Sequence, residues 1–357
     1  MIKDKISNKI LTIGCSWKTP RGGIAQLLYN YNEYVFSSFN FISNSCEGSR
    51  FTKLMIFIYS LVKTVFVLLF CRNIQIVHIH TASYNSFKRS SYYIKLAHFM
   101  KRKVVIHMHG GGFTDYYNEN KVFVENVFKK CDVVVSLSDE WKSFYSKIPT
   151  VKRVVVIENI IPSPCKMNFE DDGKIHLLFL GLLVKEKGIY DLLDAFAKLE
   201  KDIRSKIKLH IGGNGDTQEL ISYIKENLLD DCVVFEGWVS GEKKIKLLNQ
   251  CDIYVLPSYK EGLPISILEA MSYGMYILTC PVGGIPEVVD DNVNGKFIVS
   301  GDVNGMVKEL ILYSTNPDEY REKGKNSYAK VSLYFPEQVS TKLESIYRSL
   351  LDNNSLY

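Results

Sequence analysis

The sequence has no cysteine pair of the C-x-x-C type, and none of its eight cysteines stands at zinc-site spacing from a histidine. Several cysteines lie inside apolar runs, where a thiol behaves as a small hydrophobic group. We therefore expect neither a disulfide framework nor a zinc finger, and we expect a reducing compartment. The first fourteen residues also lack the long apolar core of a signal peptide, which favours a cytoplasmic location.

Excess charge is small as well, since the 357 residues carry a net charge of +5. This excess suits an anionic ligand or an anionic membrane surface but is too small to indicate nucleic-acid binding. The length suggests two domains. Residues 161–173 break the periodic pattern with two prolines and an acidic run. We therefore predict an N-terminal domain over 1–165, a C-terminal domain over 166–335 and a terminal helix over 336–357.

Both halves of the chain alternate short apolar runs with helical patterns. In the first half the apolar runs are 10–13, 76–80, 104–109, 133–138 and 154–157. In the second half they are 176–181, 209–211, 233–239, 253–256 and 276–280. This alternation predicts an α/β fold in which each half forms a doubly wound parallel sheet.

The most informative stretch, residues 251–273, is typical of a strand, a sharp loop and a helix. Pro264 stands where a first helical residue is expected. Glu261 and Glu269 flank the start of this helix, where unpaired backbone amides form a site for phosphate. Two carboxylates beside a bound diphosphate could accept hydrogen bonds from two sugars. An ordinary strand–helix unit with two solvent-facing glutamates would show the same spacing.

The string Glu261-Gly262-Leu263-Pro264, followed by Glu269, resembles the E-x7-E signature of retaining glycosyltransferases of the GT-B type, family 4. The resemblance implies two Rossmann-like domains facing a central cleft, with the acceptor bound by the first and the nucleotide-sugar by the second. It also implies that the terminal helix crosses back to the first domain. Glu261 would contact the donor sugar and Glu269 the ribose, while Gly262, Leu263 and Pro264 would hold the diphosphate.

A glycine pair, Gly22 and Gly23, lies between the first strand and the first long helical pattern. Glycine there lets the backbone approach a ligand closely, although a plain tight turn would use it too. The dinucleotide fingerprint is missing, so NAD binding is not favoured. The resemblance implies that this loop faces the diphosphate and the acceptor, with Arg21 as an additional phosphate or acceptor contact.

His109 ends an apolar run and precedes three glycines, at the end of a strand where ligands bind in open parallel sheets. A lone histidine is more often structural, and only its position favours a functional role. The resemblance implies that His109 contacts the donor sugar near the reacting carbon. His80 and His107 have weaker claims, and strand alternation places His107 on the same side as His109.

Two lysines, Lys185 and Lys187, precede a helix and would suit a diphosphate, although a solvated loop would also carry them. The family pattern has an arginine directly after Gly181, where this chain has Leu182, and a lysine that Lys187 matches. One phosphate cation is therefore missing, and Lys185 or Arg21 could replace it.

Three residues of the second half are assigned to the donor. Gly213 lies in the glycine-rich segment 212–216, in which the strand predicted at 209–211 ends. By the resemblance, the loop that contains Trp238 and Val239 borders the nucleotide base.

The run from Leu54 to Phe70 is the most apolar stretch, interrupted only by Ser60, Lys63 and Thr64. It is shorter than the ~20 residues that span a bilayer, and it contains a lysine. We favour a buried or partly buried helix over a helix on the membrane surface, and that over a true span. A basic and aromatic segment follows, which suits either an anionic membrane or a solvated helix face. It comprises Lys88, Arg89, Tyr92, Tyr93, Lys95, Lys101, Arg102 and Lys103.

No D-x-D sequence occurs, although a metal-dependent transferase with fused domains would usually carry one. We therefore predict a metal-independent transfer with no cofactor, in which helix amides and lysines stabilise the leaving diphosphate. The resemblance implies retention of anomeric configuration by front-face attack. Glu261, His109 and Lys187 are the predicted catalytic residues.

The expected activity is transfer of a hexosyl or N-acetylhexosaminyl group from a nucleotide-diphosphate sugar. The resemblance implies a UDP-sugar, since UDP is the commonest donor nucleotide in the family. The expected acceptor is a lipid-linked or surface polysaccharide of the O-antigen or capsule type, as in lipopolysaccharide. The protein would be peripheral on the inner face of the cell membrane. Two alternatives stay open: a GT-B-shaped nucleotide-sugar epimerase, and a non-catalytic sugar-nucleotide-binding subunit of a polysaccharide assembly complex.

Overall fold

A computed structural model of the chain describes residues 1–18, 22–46, 48–167 and 172–352. The chain divides into two compact units. The first joins Met1–Pro162 to the C-terminal segment Tyr334–Tyr357, and the second is Ser163–Leu333. Each unit is built on a six-stranded sheet whose strands pair in parallel.

The sheet of the first unit has the strand order β2-β1-β3-β4-β5-β6. Its strands are mostly continuous apolar runs because helices cover both faces of a parallel sheet. The strands are β1 Ile10–Cys15, β2 Phe41–Ser45, β3 Ile76–Thr81, β4 Lys103–Met108, β5 Val133–Ser136 and β6 Val154–Val156. The helices are α1 Asp4–Ser7, α2 Gly23–Asn30, α3 Arg50–Phe70, α4 Asn85–Phe99, α5 Phe113–Glu119, α6 Lys121–Phe128 and α7 Asp139–Ser146, with a π-helical turn at Tyr31–Val35.

The sheet of the second unit has the order β12-β11-β10-β7-β8-β9. Its strands are β7 Ile175–Leu183, β8 Ile207–Gly215, β9 Val233–Gly237, β10 Ile253–Leu256, β11 Tyr276–Thr279 and β12 Gly295–Phe297. Its helices are α8 Ile189–Ala197, α9 Lys201–Arg204, α10 Thr217–Glu226, α11 Gly241–Gln250, α12 Ile265–Ser272, α13 Val303–Thr315 and α14 Pro317–Val331. The 3₁₀ turns are Lys185–Lys187, Ile285–Glu287 and Ser332–Tyr334. The predicted α/β class with a doubly wound sheet in each half is confirmed.

The last helix, α15 (Pro336–Asp352), belongs to the first unit. Its apolar face, which includes Val339 and Leu343, is fully buried. Tyr347 of this helix shares a hydrogen bond of 2.7 Å with Nδ1 of His78 on β3. The C-terminal segment therefore covers one face of the first sheet.

The two faces of the first sheet differ in chemistry, because successive side chains of a strand alternate in direction. One face carries Ile13, Ile79 and Ile106, which pack with the rings of helices α4 to α7 in a single apolar core. The other face carries the histidines of β3 and β4 and packs against Tyr347 and Tyr31.

Helix α3 inverts the usual pattern of an amphipathic surface helix. Its fully buried residues are Ser60, Thr64 and Leu68, and Ser60 bonds to the hydroxyl of Tyr93 on α4 at 2.6 Å. Phe57, Leu61 and Val67 pack against the core, but most of the large apolar side chains of the helix are exposed. Those that are exposed are Phe51, Leu54, Met55, Ile58, Tyr59, Val62, Phe66, Leu69 and Phe70. The helix is partly buried, and its most apolar 18-residue window has a mean hydropathy of 2.0 and is only 17% buried.

Candidate functional site

The candidate site is built at the carboxyl end of strand β10 and the start of helix α12. Pro264 has φ −65° and ψ 125°, so its ψ is extended and the helix begins one residue later, at Ile265. The prediction that Pro264 is the first helical residue is therefore wrong by one position, because the proline caps the helix from outside. The amides of the first helical turn have no acceptor within the helix, and they are free to bind an anion.

Both signature glutamates are almost buried, with Glu261 9% and Glu269 7% exposed. Glu261 forms an ion pair with Lys187, and Oε1 of Glu269 lies 2.6 Å from Nζ of Lys244 on helix α11. A buried carboxylate without a cation would be strongly destabilising, so each lysine stabilises its partner. The alternative of two solvent-facing glutamates is therefore wrong. Lys244 was not predicted, since it is distant in sequence and lies in an ordinary basic helix pattern.

Two glycines without room for a side chain hold the loops of this site together. Gly188 follows Lys187 at φ +70°, and a Cβ there would lie 2.2 Å from the carbonyl oxygen of Pro257. Gly283 has φ +57°, and a Cβ there would lie 2.2 Å from the carbonyl oxygen of Glu261. The amide of Gly284 also donates to the carbonyl of Gly262 at 2.6 Å. These contacts position the backbone of the signature loop, where Gly262 and Leu263 are buried.

The other predicted donor contacts of the second unit have different surroundings. Lys185 is exposed and lines a cavity of about 650 Å³ with Glu186, Tyr190, Asp191, Asp194, Glu219, Tyr223, Tyr259 and Lys260. The described residues that line this cavity include neither signature glutamate. Trp238 is 38% exposed after β9, whereas Val239 is 7% exposed and packs over Gly212.

Gly213 is part of a strand, so the strand predicted at 209–211 is longer than expected and includes the glycines that follow it. Strand β8 continues to Gly215 because its pairing with β7 extends from Gly181 to Leu183. A Cβ at Gly213 would lie 1.9 Å from the carbonyl oxygen of Gly181. The residue therefore allows the two strands to approach closely, and its contact with a donor stays a prediction.

In the first unit, the glycine pair lies at the start of α2. Gly22 has φ +102°, which favours glycine, and Gly23 is the first residue of the helix. A Cβ at either position would meet nothing within 4 Å. Their roles toward diphosphate and acceptor stay predictions, and Arg21 lies outside the described residues.

His109 follows strand β4 and is tied to a row of histidines. Its Nε2 lies 3.0 Å from Nδ1 of His80, and its ring lies 4.3 Å from that of His107. Desolvation lowers the pKa of His109 to about 3, so the ring is neutral near pH 7. One nitrogen is occupied by His80, and the contact with a donor sugar stays a prediction.

The family model of group 1 glycosyl transferases matches residues 166–330. Residues 166–330 form a group 1 glycosyltransferase domain. The resemblance stated from the signature residues is thereby confirmed. Both ion pairs, Gly188 and Gly283 lie inside this glycosyltransferase domain.

Relatives of known sequence agree with this domain. A glycosyltransferase of Methanocaldococcus jannaschii, itself uncharacterized, is 32% identical over 247 residues, which cover 64% of this chain and 63% of the relative. The amylovoran biosynthesis glycosyltransferase AmsK of Erwinia amylovora is 24% identical over 254 residues, which cover 68% of this chain and 62% of AmsK. The chain thus spans less than two thirds of the length of either relative.

The fold is that of GT-B glycosyltransferases. HepE of Anabaena, crystallised in complex with UDP-glucose, matches with a TM-score of 0.74 at 16% identity, over 95% of this chain and 99% of HepE. At this identity the likeness establishes the fold. The predicted GT-B class is confirmed.

A substitution at Gly283 tests whether close packing positions the signature loop of the glycosyltransferase domain. We expect Gly283→Ala to lower the free energy of unfolding, measured by urea denaturation, by ~1–3 kcal/mol more than a control with the same backbone strain. Gly274→Ala is that control, because its φ is +81° and a Cβ would meet no atom closer than 3.9 Å. Equal losses in both variants would contradict the role of Gly283.

Proposed function

We propose that the protein transfers a sugar from a nucleotide-diphosphate sugar to a glycan acceptor. The observation that carries this proposal is the pair of buried glutamates, each held by a lysine, beside the first turn of α12 in a group 1 glycosyltransferase domain. Buried charges of both signs beside free amides suit a ligand that combines hydroxyl groups with phosphates.

A division of roles follows from the charges. The amides that start α12, together with Lys187, would bind the diphosphate. Glu261 would accept hydrogen bonds from the donor sugar, and Glu269 from the ribose. Both carboxylates are already partnered, so a bound diphosphate would compete with Glu261 for Lys187. The ion pair keeps both groups ordered at the place where the ligand would arrive.

The chemistry proposed is a retaining transfer without a metal ion. The bond between the anomeric carbon and the β-phosphate oxygen breaks, and a bond from that carbon to the acceptor oxygen forms on the same face. The acceptor proton goes to the leaving phosphate oxygen. Lys187 and the helix amides stabilise the negative charge that develops on this oxygen. The UDP-glucose complex of HepE supports UDP as the nucleotide.

The carboxylate of Glu261 is the sharpest test of this site. We expect Glu261→Gln to lower nucleotide release from the cognate donor by at least ~100-fold, because a neutral amide loses the ion pair with Lys187 and accepts hydrogen bonds from the sugar more weakly than a carboxylate. Candidate donors are UDP-glucose, UDP-N-acetylglucosamine, GDP-mannose and ADP-glucose, incubated with a bacterial lipid extract as acceptor. Glu226→Gln, an exposed glutamate on α10, is the matched control and should keep full activity.

Product analysis separates the competing activities. Conversion of the donor sugar without acceptor would indicate an epimerase. Binding of UDP, seen as thermal protection, without any nucleotide release would indicate a binding subunit, a reading that the exposed Leu182 favours. Unchanged release by Glu261→Gln would reject the site.

We further propose that the acceptor is lipid-linked or a surface polysaccharide, and that the protein works on the inner face of the cell membrane. The name of AmsK connects one relative with polysaccharide synthesis. Helix α3 supplies the physical support, since nine large apolar side chains of one helix face solvent. Burying each of them would gain ~1.5–3 kcal/mol at most, and a patch of this size is typical of a docking surface.

The surroundings of α3 favour an anionic bilayer surface over a transmembrane position. Lys53 and Lys63 are exposed on the helix itself, and Lys88 and Lys95 are exposed on the adjacent helix α4. The opposite side of α3 packs against the core through Leu68 and is bonded to α4 through Ser60, so the helix would lie in the interface with that side still packed. Apolar insertion and basic flanks act together on anionic lipid.

Vesicle binding tests this docking surface. We expect the full chain to sediment with phosphatidylglycerol-rich vesicles, and the double change Phe66→Ser with Phe70→Ser to weaken binding at least ~tenfold, since two exposed stacked rings are lost. The control is Val122→Ser with Val299→Ser, which removes two apolar side chains exposed elsewhere. Equal binding by both double variants, or a dimer with no vesicle binding, would contradict the proposal.

A further inference from the structure

A group of three histidines lies inside the first unit, outside residues 166–330. His78 and His80 are two residues apart on β3, and His107 stands beside His80 on β4. All three are at most 2% exposed. One ring nitrogen from each lies within 4.8 Å of the others. Three buried ring nitrogens this close to one another require an explanation.

The hydrogen bonds of these rings use some of the ring nitrogens and leave others without a partner among the described residues. Nδ1 of His78 lies 2.7 Å from the hydroxyl of Tyr347, and Nδ1 of His80 lies 3.0 Å from Nε2 of His109. In the part of the chain that the structure describes, Nε2 of His78 and Nε2 of His80 have no hydrogen-bond partner. An unpartnered buried polar atom costs ~1–3 kcal/mol.

We propose that His78, His80 and His107 bind a divalent transition-metal ion, with Zn²⁺ as the first candidate, in the core of the first unit. Imidazole is a preferred ligand of Zn²⁺, Ni²⁺, Cu²⁺ and iron, and three histidines form a recurrent ligand set. Metal-binding histidines almost always donate a hydrogen bond from the N–H of their second ring nitrogen to a polar partner. Tyr347 and His109 occupy that position toward His78 and His80.

The geometry is that of a site before the metal arrives. Two nitrogens bound to a tetrahedral Zn²⁺ are about 3.3 Å apart. Ring rotations that move the histidine nitrogens by about an ångström would bring them to this distance. The rings of His78 and His107 are almost parallel, with 7° between their planes and 5.4 Å between their centres. To reach metal-ligand distances, the rings would rotate about their χ torsions.

A buried tyrosine from the turn after α2 lies beside this group. The hydroxyl of Tyr31 is buried and has no hydrogen-bond partner among the residues described, and its ring centre lies 5.4 Å from that of His80. The ion would join β3 and β4, and through Tyr347 also α15. Its role is structural, and it is independent of the proposed transfer.

Metal analysis of the full chain without a histidine tag tests this proposal. After incubation with Co²⁺ or Zn²⁺ and gel filtration, we expect about one ion per chain, with visible absorption bands for Co²⁺ that indicate nitrogen ligands. His80→Asn should abolish the binding. Tyr347→Phe, which keeps the ligands but removes their orienting partner, should weaken it by ~10–100-fold.

Histidines outside the group are the matched controls. His98→Asn changes an exposed histidine of the same unit, and His210→Asn changes a buried one of the second unit. Both should bind the metal as the unchanged chain does. Absence of bound metal in the unchanged chain, or its loss in His210→Asn with retention in Tyr347→Phe, would overturn the proposal. This holds even if His80→Asn fails to fold, which circular dichroism would reveal.

Discussion

The pairing of Glu261 with Lys187 is the interaction on which the second unit's site depends. A carboxylate that is 9% exposed at the end of a parallel sheet needs a cation, and the lysine must arrive from another loop. Gly188 and Gly283 let the two loops come close enough for this contact, because either would clash with a backbone carbonyl if it carried a Cβ. Charge compensation and backbone packing therefore act on the same few residues.

Local signals in the sequence predict the strand, the loop and the helix around Glu261, since each signal concerns neighbouring residues. The pairs themselves could not be predicted in the same way. Lys187 is 74 residues from Glu261, and only the resemblance to the family pattern indicated a role for it. No pattern in the sequence indicated Lys244. The end of β8 was misjudged for a related reason: glycines usually end strands, but Gly213 continues one because its neighbour β7 approaches closely.

The apolar run around residue 60 shows another limit of sequence interpretation. Its composition predicts a helix, but the direction of each face depends on the helix that packs against it. Tyr93 of α4 offers a hydroxyl, and Ser60 therefore turns inward while the large side chains turn outward. Periodicity alone would place the apolar residues inside. An exposed apolar surface lowers the stability of the protein in water. It persists only if the remaining packing offsets this loss, or if a membrane or a partner covers the surface.

Buried histidines lie on both sheets, but their hydrogen bonding differs. All ring nitrogens have partners in the second unit, whereas several in the first have none within the described part of the chain. In the second unit, His176 and His210 bond to each other at 3.0 Å and to Asp172 and Glu236 at their outer nitrogens. Every ring nitrogen of that pair has a partner. In the first unit, Nε2 of His78, Nε2 of His80 and both ring nitrogens of His107 have no hydrogen-bond partner among the described residues. Unpartnered polar atoms are costly in a medium of low dielectric constant. The histidines of the first unit, and not those of the second, are therefore the ones that a bound cation would stabilise.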